Sequence, residues 1–335
     1  MQSATIIFTG PGQVELVEEQ VSALGRGEVT FRTTVSLVST GTELICYRGQ
    51  CDPGTNWEQY IHYPLWPGYC SVGHVVEVGE GVDDLREGDR ICSILSHRQY
   101  GNLTTEQIWA RNLPDDISDE QAVWLVLGVI TQTGIRLVEH EMGDTAVVIG
   151  LGPLGQLVTR YLGAMGLRQV MVVDPVQMRV EAVRDRGATA AFCGSVTDAR
   201  QFVLEHTDGR LADVVYDVTG HHDVLEMALP LTRDFGKVML IGDCPHPSRQ
   251  RLTHDILNRQ VKLLGSRSYF LPPRHAHWTP QRQTVLMLDY LRRGQMNLDG
   301  LITHRFDPFQ APEVYSRLDR QRDDTLGVVF EWPQI

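Results

Sequence analysis

The segment from Thr145 to Asp174 constrains the fold more than any other part of the chain. A short run of mainly β-branched residues, Ala146 to Ile149, is typical of a buried parallel strand. A G-x-G-x-x-G sequence follows and opens a helical pattern, and a second apolar run, Val170 to Val173, leads into Asp174. Strand, glycine turn, helix, strand and terminal acid in this order predict a dinucleotide-binding βαβ unit.

The glycine turn reads Gly150-Leu151-Gly152-Pro153-Leu154-Gly155. Gly150 permits the tight turn, Gly152 lets the backbone approach a pyrophosphate, and Gly155 lets the helix pack on the strand. Pro153 suits the first helical turn, where its missing N–H is no loss. The free N–H groups around Leu154 and the positive end of the helix dipole are then expected to face the phosphates.

Asp174 lies nineteen residues after Gly155, at the end of the second predicted strand. A carboxylate there accepts from both ribose hydroxyls of NAD and repels the extra phosphate of NADP, so we expect NAD in preference to NADP. Arg179 leaves this choice open, because its side chain is suited to an NAD ribose, a helix cap or a 2′-phosphate.

Bulk properties exclude several classes of protein. The formal charge of −12 and the absence of a basic tract argue against nucleic acid as a main partner. No uninterrupted run approaches 18 apolar residues, so no membrane span is expected. The N-terminus shows no secretory signal, and the six cysteines are widely spaced, so we expect reduced thiols and a cytoplasmic location.

The remaining pattern predicts an α/β fold of two domains, because 335 residues exceed the usual size of one. β-rich residues 1 to 110 are followed by a helical stretch that opens with an N-cap-like Ser118. Strands then alternate with helices to complete a doubly wound parallel sheet of about six strands. A helix from Thr284 to Arg293 precedes a short strand-like tail, Leu326 to Trp332, which we expect to return to the N-terminal β unit. The predicted strands outside the βαβ unit are Ala4–Phe8, Val29–Val38, Gly73–Val78, Asp89–Leu95, Thr104–Ala110, Ala190–Cys193, Asp213–Val218, Lys237–Ile241 and Val261–Leu264.

This order resembles the medium-chain dehydrogenase/reductase family, which is alcohol dehydrogenase-like. The motifs that carry the resemblance are Gly41-Thr42-Glu43, Pro67-Gly68 with Ser71-Val72-Gly73, VVEVGEGV, Gly88-Asp89-Arg90, the glycine turn and LITHRFDPFQAPEVYSRL. The resemblance implies a Rossmann domain, residues 129–267, inserted into a GroES-like β-rich catalytic domain, residues 1–128 and 268–335. It also implies a homodimer formed through the edge strand near Val261–Leu264.

The sequence departs from the family's zinc-dependent members at each ligand position that aligns. Thr40 replaces the first cysteine, Tyr69 and Cys70 fill the Gly-His-Glu motif, and Val129 stands near the later ligand. Residues 95–109 contain no cysteine for a structural zinc. A catalytic zinc needs three N, S or O ligands. The chain is therefore expected to bind no zinc, and is most similar in motif to bacteriochlorophyllide a dehydrogenase-like and uncharacterised sugar or alcohol dehydrogenase-like members.

Without zinc, hydrogen-bond donors must stabilise the substrate oxygen. Thr42 matches the family's proton-relay hydroxyl, and Tyr69 stands where a zinc-binding histidine usually points inward. Glu43 is expected to orient Thr42 or Arg48. The plainer alternatives are a turn hydroxyl for Thr42, a packed aromatic ring for Tyr69 and a structural ion pair for Glu43.

By resemblance, the nicotinamide is flanked by residues at the ends of three strands and by one small helix residue: Thr133, Val218, Thr219, Ile241, Gly242 and Ser266. Substrate selectivity is expected at Tyr47, Trp66, Cys70 and Tyr269, although Cys70 also suits a small buried hydrophobic position.

The leading hypothesis is an NAD(H)-dependent oxidoreductase that transfers hydride between nicotinamide and a secondary alcohol or ketone, such as a sugar, polyol or cyclic alcohol, without zinc. One alternative is an NADPH-dependent reductase of activated C=C bonds or quinones. Another is a non-catalytic NAD(P)H-binding protein, which predicts tight binding without hydride transfer.

Overall fold

A computed structural model describes residues 1–333 of the chain. Two compact units are present. The first comprises Met1–Leu127, Pro280–Arg292 and the residues from Leu298 onward, and the second comprises Gly128–Thr279 with Arg293–Asn297.

The N-terminal part of the first unit is β-rich. Its strands are β1 (Gln2–Gly10), β2 (Gln13–Gln20), β3 (Glu28–Leu37), β4 (Ser71–Val78), β5 (Arg90–Ser93), β6 (Tyr100–Thr104) and β7 (Ile108–Ala110). The helices that follow in this region are α1 (Thr40–Arg48), α2 (Asn56–Tyr60), α3 (Asp119–Ala122) and α4 (Leu125–Val138), of which α4 continues into the second unit. β1 and β2 form an antiparallel pair, and the other strands join a larger sheet centred on β3.

The second unit is a six-stranded parallel sheet with helices between its strands. Its strands are β8 (Thr145–Ile149), β9 (Gln169–Asp174), β10 (Ala190–Cys193), β11 (Ala212–Asp217), β12 (Thr232–Leu240) and β13 (Lys262–Gly265). Its helices are α5 (Pro153–Ala164), α6 (Gln177–Glu181), α7 (Ala199–Glu205), α8 (Val224–Ala228) and α9 (Asp255–Asn258). The spatial order β10-β9-β8-β11-β12-β13 is that of a doubly wound dinucleotide-binding sheet, which confirms the predicted fold class.

The chain then returns to the first unit. This segment contains α10 (Pro280–Arg292), β14 (Ile302–Phe306), α11 (Ala311–Arg320) and β15 (Gly327–Glu331). β15 pairs antiparallel with β3, so the prediction that the tail returns to the N-terminal β unit is confirmed. The described residues also contain six short 3₁₀ turns: Thr105–Gln107, Val196–Asp198, Leu229–Leu231, Pro247–Arg249, Pro273–His275 and Pro308–Gln310.

The second unit extends past residue 267, where the sequence analysis ended it. The guanidinium carbon of Arg136 lies 3.4 Å from the centre of the Trp278 ring. The Asn297 carbonyl accepts a 2.6 Å hydrogen bond from Arg160. These side-chain contacts attach residues 268–279 and 293–297 to the second unit. Sequence periodicity carries no signal for such long-range contacts.

Local predictions succeeded where a capping residue marked the start of an element. Ser118 accepts from the Gln121 backbone N–H at 3.2 Å, and the Gln121 side chain accepts from the Ser118 N–H at 3.0 Å, forming a capping box. By contrast, α1 and β2 were not predicted. The strand predicted over Thr104–Ala110 is interrupted by the turn at Thr105–Gln107, because Gln107 closes another capping box on Thr104.

One segment meets the length and hydropathy criteria for a membrane span, although its apolar residues do not form an uninterrupted run. Asp119–Val138 has a mean hydropathy of 1.4 in its most apolar window, and 78% of that window is buried within the protein. Buried core helices satisfy the same criteria, and most of this segment is packed inside the protein.

Each unit buries its own apolar core. In the second unit the β-branched residues of the central strands, such as Val147, Val173 and Val215, pack against the flanking helices. In the first unit one cluster includes Phe8, Leu44, Tyr315 and Phe330, and therefore joins the N-terminal strands to the returning helix α11. This second cluster surrounds the polar residues described below.

Candidate active site

The glycine turn of the second unit has the geometry that its sequence predicts. Gly150 adopts φ +89°, a conformation that residues with a Cβ rarely take. A Cβ on Gly155 would lie 1.9 Å from the Gly150 carbonyl oxygen, so only glycine allows α5 to start this close to β8. A Cβ on Gly152 would meet no atom within 4 Å, which leaves open space beside the N-terminus of α5. Pro153 and Leu154 form the first turn of that helix.

Asp174 ties the glycine turn to the end of β9. One carboxylate oxygen accepts from the Leu151 N–H at 2.7 Å, and the other accepts from the Val176 N–H at 2.8 Å. A carboxylate has about four acceptor positions, so two remain for ribose hydroxyls. The buried Gln156, which sequence reasoning missed, donates to the Leu151 carbonyl at 3.0 Å and to the Arg179 carbonyl at 2.9 Å. Arg179 itself lies in α6, half-buried.

Predicted cofactor residues converge at the carboxyl ends of β11, β12 and β13. The Val218 N–H donates to the Ile149 carbonyl, and the Ile241 and Gly242 N–H groups both donate to the Asp217 carbonyl. The Asp217 side chain accepts from the Thr219 N–H at 3.0 Å and from its hydroxyl at 2.7 Å. Burial raises the pKa of the Asp217 carboxyl above its usual range.

Helix α4 reaches the same strand ends through one glycine. A Cβ on Gly134 would lie 2.7 Å from the Ile241 side chain and 3.4 Å from the Ser266 hydroxyl. Thr133, beside it, is fully buried, and its hydroxyl donates to the Val129 carbonyl at 3.0 Å. The Thr133 hydroxyl is therefore hydrogen-bonded within its own helix. The residue contributes a small side chain next to the strand ends and not a polar contact.

Three hydroxyl groups meet in the first unit, and we call Ser39, Thr42 and Tyr69 the hydroxyl cluster. The Tyr69 hydroxyl lies 2.5 Å from the Ser39 hydroxyl and 3.3 Å from the Thr42 hydroxyl. Ser39 and Thr42 lie at the N-terminal turn of α1, and Tyr69 follows Gly68, whose φ of +91° turns the chain. Sequence reasoning named Thr42 and Tyr69 but missed Ser39, thirty positions from its tyrosine partner.

Glu43 is buried behind this cluster, and both of its carboxylate oxygens form hydrogen bonds. One oxygen accepts from the Ser39 backbone N–H at 2.7 Å. The other lies 3.1 Å from His97 Nε2 and accepts a short hydrogen bond from the Tyr315 hydroxyl. The expectation that Glu43 orients Arg48 is wrong, because Arg48 pairs with Asp319 at 2.6 Å. Glu43 instead holds the backbone of the turn that carries the hydroxyl cluster.

Further hydrogen bonds connect His97 to the sheet. His97 Nδ1 lies 2.7 Å from the Ser36 hydroxyl, which also accepts from the Trp332 indole N–H at 2.9 Å. We call Glu43, His97, Tyr315, Ser36 and Trp332 the Glu43 network. Its members are separated by up to 296 positions, and no spacing in the sequence indicates the association.

Burial keeps the Tyr69 phenol and the nearby cysteine thiols protonated. The pKa of Tyr69 is raised, mainly by desolvation, and the nearby Cys70 and Glu43 add to the effect, while hydrogen bonds from Ser39 and Thr42 oppose it. Burial likewise raises the pKa of Cys70 well above its usual range and that of Cys46 to about 12. The hydroxyl cluster is therefore a set of neutral groups at physiological pH.

Of the four residues predicted to contact substrate, two are buried in the core of the first unit. Tyr47 is 8% exposed and stacks on Tyr315 with ring centres 6.1 Å apart, and Cys70 is fully buried, so both are core residues because apolar neighbours enclose them. Trp66 is 42% exposed and its indole N–H donates to Glu19. Tyr269 belongs to the second unit, where its exposed ring stacks on Phe270.

The donor set around Tyr69 does not fit zinc. Its hydroxyl neighbours are neutral, and Thr40 at the first aligned ligand position is a buried threonine. Protein zinc sites use thiolate, imidazole or carboxylate ligands. Within residues 1–333, the one group of three such side chains with ligand atoms close together is His221, His222 and Asp223, a turn of the second unit.

Comparison with known proteins relates the whole chain to dehydrogenases. Residues 153–279 match the family model described as zinc-binding dehydrogenase. The D-guloside 3-dehydrogenase of Escherichia coli K12 is 25% identical over 353 residues, which cover 97% of this chain and 99% of that protein. The L-threonine 3-dehydrogenase of Thermococcus kodakarensis is 29% identical over 346 residues, which cover 94% of each.

Solved structures share the fold over nearly the full length. The galactitol-1-phosphate dehydrogenase of Escherichia coli superposes with a TM-score of 0.82 at 18% identity, covering 99% of this chain and 100% of that one. The alcohol dehydrogenase RspB from Escherichia coli CFT073, complexed with NADH, gives a TM-score of 0.81 at 20% identity, covering 98% and 99%.

Proposed function

The chain belongs to the zinc-binding, or medium-chain, dehydrogenase/reductase family, and from this premise we propose an NAD(H)-dependent oxidoreductase of secondary alcohols and ketones that uses no catalytic zinc. The observation that carries the proposal is the Tyr69 hydroxyl, hydrogen-bonded to Ser39 and Thr42 at a position where the family's zinc enzymes hold a metal ligand. A protein with this arrangement keeps polar donors for a substrate oxygen.

The second unit is the proposed binding domain for the dinucleotide. The open space at Gly152 and the first turn of α5 suit a pyrophosphate, because helix N-termini present free N–H groups and a positive dipole end. The two remaining acceptor positions of Asp174 suit the adenosine ribose of NAD. An added 2′-phosphate would place negative charge next to this buried carboxylate, which disfavours NADP.

The proposed substrates are sugars, polyols or cyclic alcohols. Support comes from relatives named for D-guloside, L-threonine and sorbitol, in which the oxidised group is a hydroxyl on a polar carbon skeleton. The hydroxyl cluster offers polar groups to a substrate at Tyr69. This composition favours a small polar substrate over a large hydrophobic one.

Bound nicotinamide supplies the hydride chemistry, and the protein must position the carbon and stabilise its oxygen. Tyr69, held neutral, donates its O–H to the substrate oxygen, while Ser39 and Thr42 fix the direction of that O–H. One such donor typically lowers a barrier by about 2.7–4 kcal/mol. No step is assigned to zinc, since the donor set does not fit the ion.

A homodimer is also proposed, through the exposed edge of β13. In the described residues β13 pairs with β12 alone, and Leu263 on it is 41% exposed. An unpaired strand edge is commonly covered by pairing with another chain. Sedimentation of the protein with and without Leu263→Glu tests this, and a monomeric parent protein would refute it.

All six cysteines are free, which supports the expected cytoplasmic location.

The central experiment combines a turnover screen with metal analysis. Purified protein is incubated with NAD or NADP and a panel of sugars, polyols and cyclic alcohols, and reduced cofactor is followed by absorbance. We expect turnover with NAD on a polar alcohol, in protein that contains less than about one zinc per ten chains and keeps its rate after chelation.

Three results would contradict parts of the proposal. Clear preference for NADPH with an activated alkene or quinone would favour the reductase alternative. Tight NADH binding without turnover on any substrate would favour a binding protein. Stoichiometric zinc whose removal abolishes turnover would refute the zinc-free mechanism.

A further inference from the structure

His97 bridges two elements of the first unit while fully buried. The residue lies on the loop after β5, with its Nδ1 at 2.7 Å from the Ser36 hydroxyl of β3. Its Nε2 lies 3.1 Å from Glu43 of α1. None of the side-chain surface of His97 is exposed, and only 2% of Glu43 is. A buried pair of this kind is retained only where its hydrogen bonds are satisfied.

Counting donors and acceptors assigns the proton positions. The Trp332 indole can only donate, and it donates to the Ser36 oxygen. Among these contacts the Ser36 hydroxyl hydrogen has one acceptor, His97 Nδ1, and His97 Nε2–H then donates to Glu43. Tyr315 also donates to Glu43. In this arrangement every one of these polar hydrogens has an acceptor.

The network contacts both halves of the hydroxyl cluster. Through Glu43 it holds the Ser39 backbone N–H at 2.7 Å, and so fixes the α1 turn that carries Ser39 and Thr42. Through the His97 ring it meets the segment before Tyr69, since a Cβ on Gly68 would lie 2.6 Å from that ring. The distances within the cluster, 2.5 Å and 3.3 Å, therefore depend on where the imidazole sits.

We propose that His97 is a positioning residue that acts through Glu43, with a proton on Nε2 and an acceptor at Nδ1, to set the geometry of the Ser39–Thr42–Tyr69 hydroxyl cluster. The inference rests on the proposed function, in which that cluster binds the substrate oxygen. Tyr315 assists by donating to the same Glu43 oxygen. His97 does not touch the reacting atoms, and its effect on catalysis is geometric.

The tautomer is tested without any enzyme assay. The protein is labelled with ¹⁵N-histidine, and the side-chain nitrogen signals of its 12 histidines are recorded. We expect one histidine that carries a proton on Nε2 and none on Nδ1, and whose signals vanish in His97→Gln. A His97 that carries its proton on Nδ1 overturns the proposal.

The positioning role is tested with two matched substitutions. His97→Gln keeps an amide N–H near the Nε2 position, facing Glu43, and His97→Asn keeps an acceptor near the Nδ1 position, facing Ser36. Both remove the ring that lies against Gly68, and asparagine is one methylene shorter than glutamine. We expect kcat to fall about 100-fold in His97→Asn and less than about 5-fold in His97→Gln, with NADH affinity unchanged in both, since small misplacements near a reacting group cost about this much.

Tyr315→Phe and Tyr216→Phe form the matched control pair. Both tyrosines are fully buried, and each loses one hydrogen bond: Tyr315 to Glu43, and Tyr216 to His140 at 2.6 Å in the second unit. We expect kcat to fall about 10-fold in Tyr315→Phe and to stay unchanged in Tyr216→Phe at similar loss of melting temperature. Equal kcat in the two His97 variants, or equal loss in the two tyrosine variants, overturns the positioning role. A parent protein with no turnover would refute the proposed function instead, while the tautomer measurement remains readable.

Discussion

The glycine turn and the hydroxyl cluster are built in opposite ways. At the glycine turn, backbone groups form the site, and its main members lie within 30 residues of sequence between Thr145 and Asp174. At the hydroxyl cluster, side chains form the site, and the Glu43 network that supports them draws on residues as distant as Ser36 and Trp332. The first site depends on missing side chains, and the second depends on particular ones.

This difference predicts which substitutions each site tolerates. A backbone site fails when a Cβ enters a space that only glycine leaves free. A side-chain site fails when one hydroxyl is removed. It also depends on buried residues that hydrogen-bond to it, and these can be substituted without changing the backbone. The following substitutions test this contrast, in order of decreasing effect.

Tyr69→Phe should have the largest effect on catalysis. The change removes the hydroxyl shared with Ser39 and Thr42 while leaving the ring in place. We expect kcat to fall about 100- to 1000-fold, the usual cost of losing one oxyanion donor. Steady-state kinetics and NADH titration measure it, and NADH affinity should not change. A variant with the full rate would remove Tyr69 from the mechanism.

Gly155→Ala and Gly152→Ala form a matched pair at the glycine turn. The first puts a Cβ at 1.9 Å from a backbone oxygen, so we expect a loss of about 3 kcal/mol in the free energy of unfolding and loss of NADH binding. The second places its Cβ in open space, so stability should change by less than about 0.5 kcal/mol while NADH binding weakens. Urea unfolding and NADH titration separate the two effects. Unchanged NADH binding in Gly152→Ala would argue against pyrophosphate at this turn.

Asp174→Ala should weaken NADH binding about 10- to 100-fold, because charge-assisted hydrogen bonds to the ribose are lost. NADPH affinity on the same variant is the internal control, since Asp174 also holds the Leu151 and Val176 N–H groups. Equal losses for the two cofactors would show that the carboxylate only supports the turn. A larger loss for NADH, measured by calorimetry, supports ribose recognition.

Asp217→Asn should have the smallest effect and should depend on pH. Burial raises the pKa of this carboxyl, so its contribution to stability is complete below the unfolded value of about 3.9 and decreases as pH rises through the folded pKa. Asparagine stays neutral and can keep accepting from Thr219. Relative to the parent, the variant should therefore gain stability as pH rises through this window. Urea unfolding from about pH 4 to pH 7 checks the slope, and a parallel pH dependence in the two proteins would contradict it.

Sequence reasoning reached different depths at the two sites. Gly150, Gly155 and Asp174 were assigned roles from local spacing, and the structure places them at one turn with the strand ends nearby. Thr42 and Tyr69 were chosen by alignment with a family pattern, and their hydroxyls lie 3.3 Å apart. These assignments needed only residues whose neighbours are set by a turn or by a motif.

The contacts of other residues could not be predicted from the sequence. His97 and Tyr315 carry no motif, and their association with Glu43 depends on the packing of a loop and of α11 around α1. Tyr47 was expected at the substrate, yet the same packing buries it against Tyr315. Aromatic and polar residue types suit both a pocket and a core, and only the surrounding contacts distinguish the two.

The sequence by itself determined the doubly wound sheet, the alternation of strands and helices along the chain and the residues of the glycine turn, because these follow from local steric rules and short-range periodicity. Only the tertiary structure decided that Ser39 completes the hydroxyl cluster and that Glu43 turns inward to His97 and Tyr315. The physical reason is that a buried charge must find all of its hydrogen-bond partners, and those partners come from whichever segments the fold brings together.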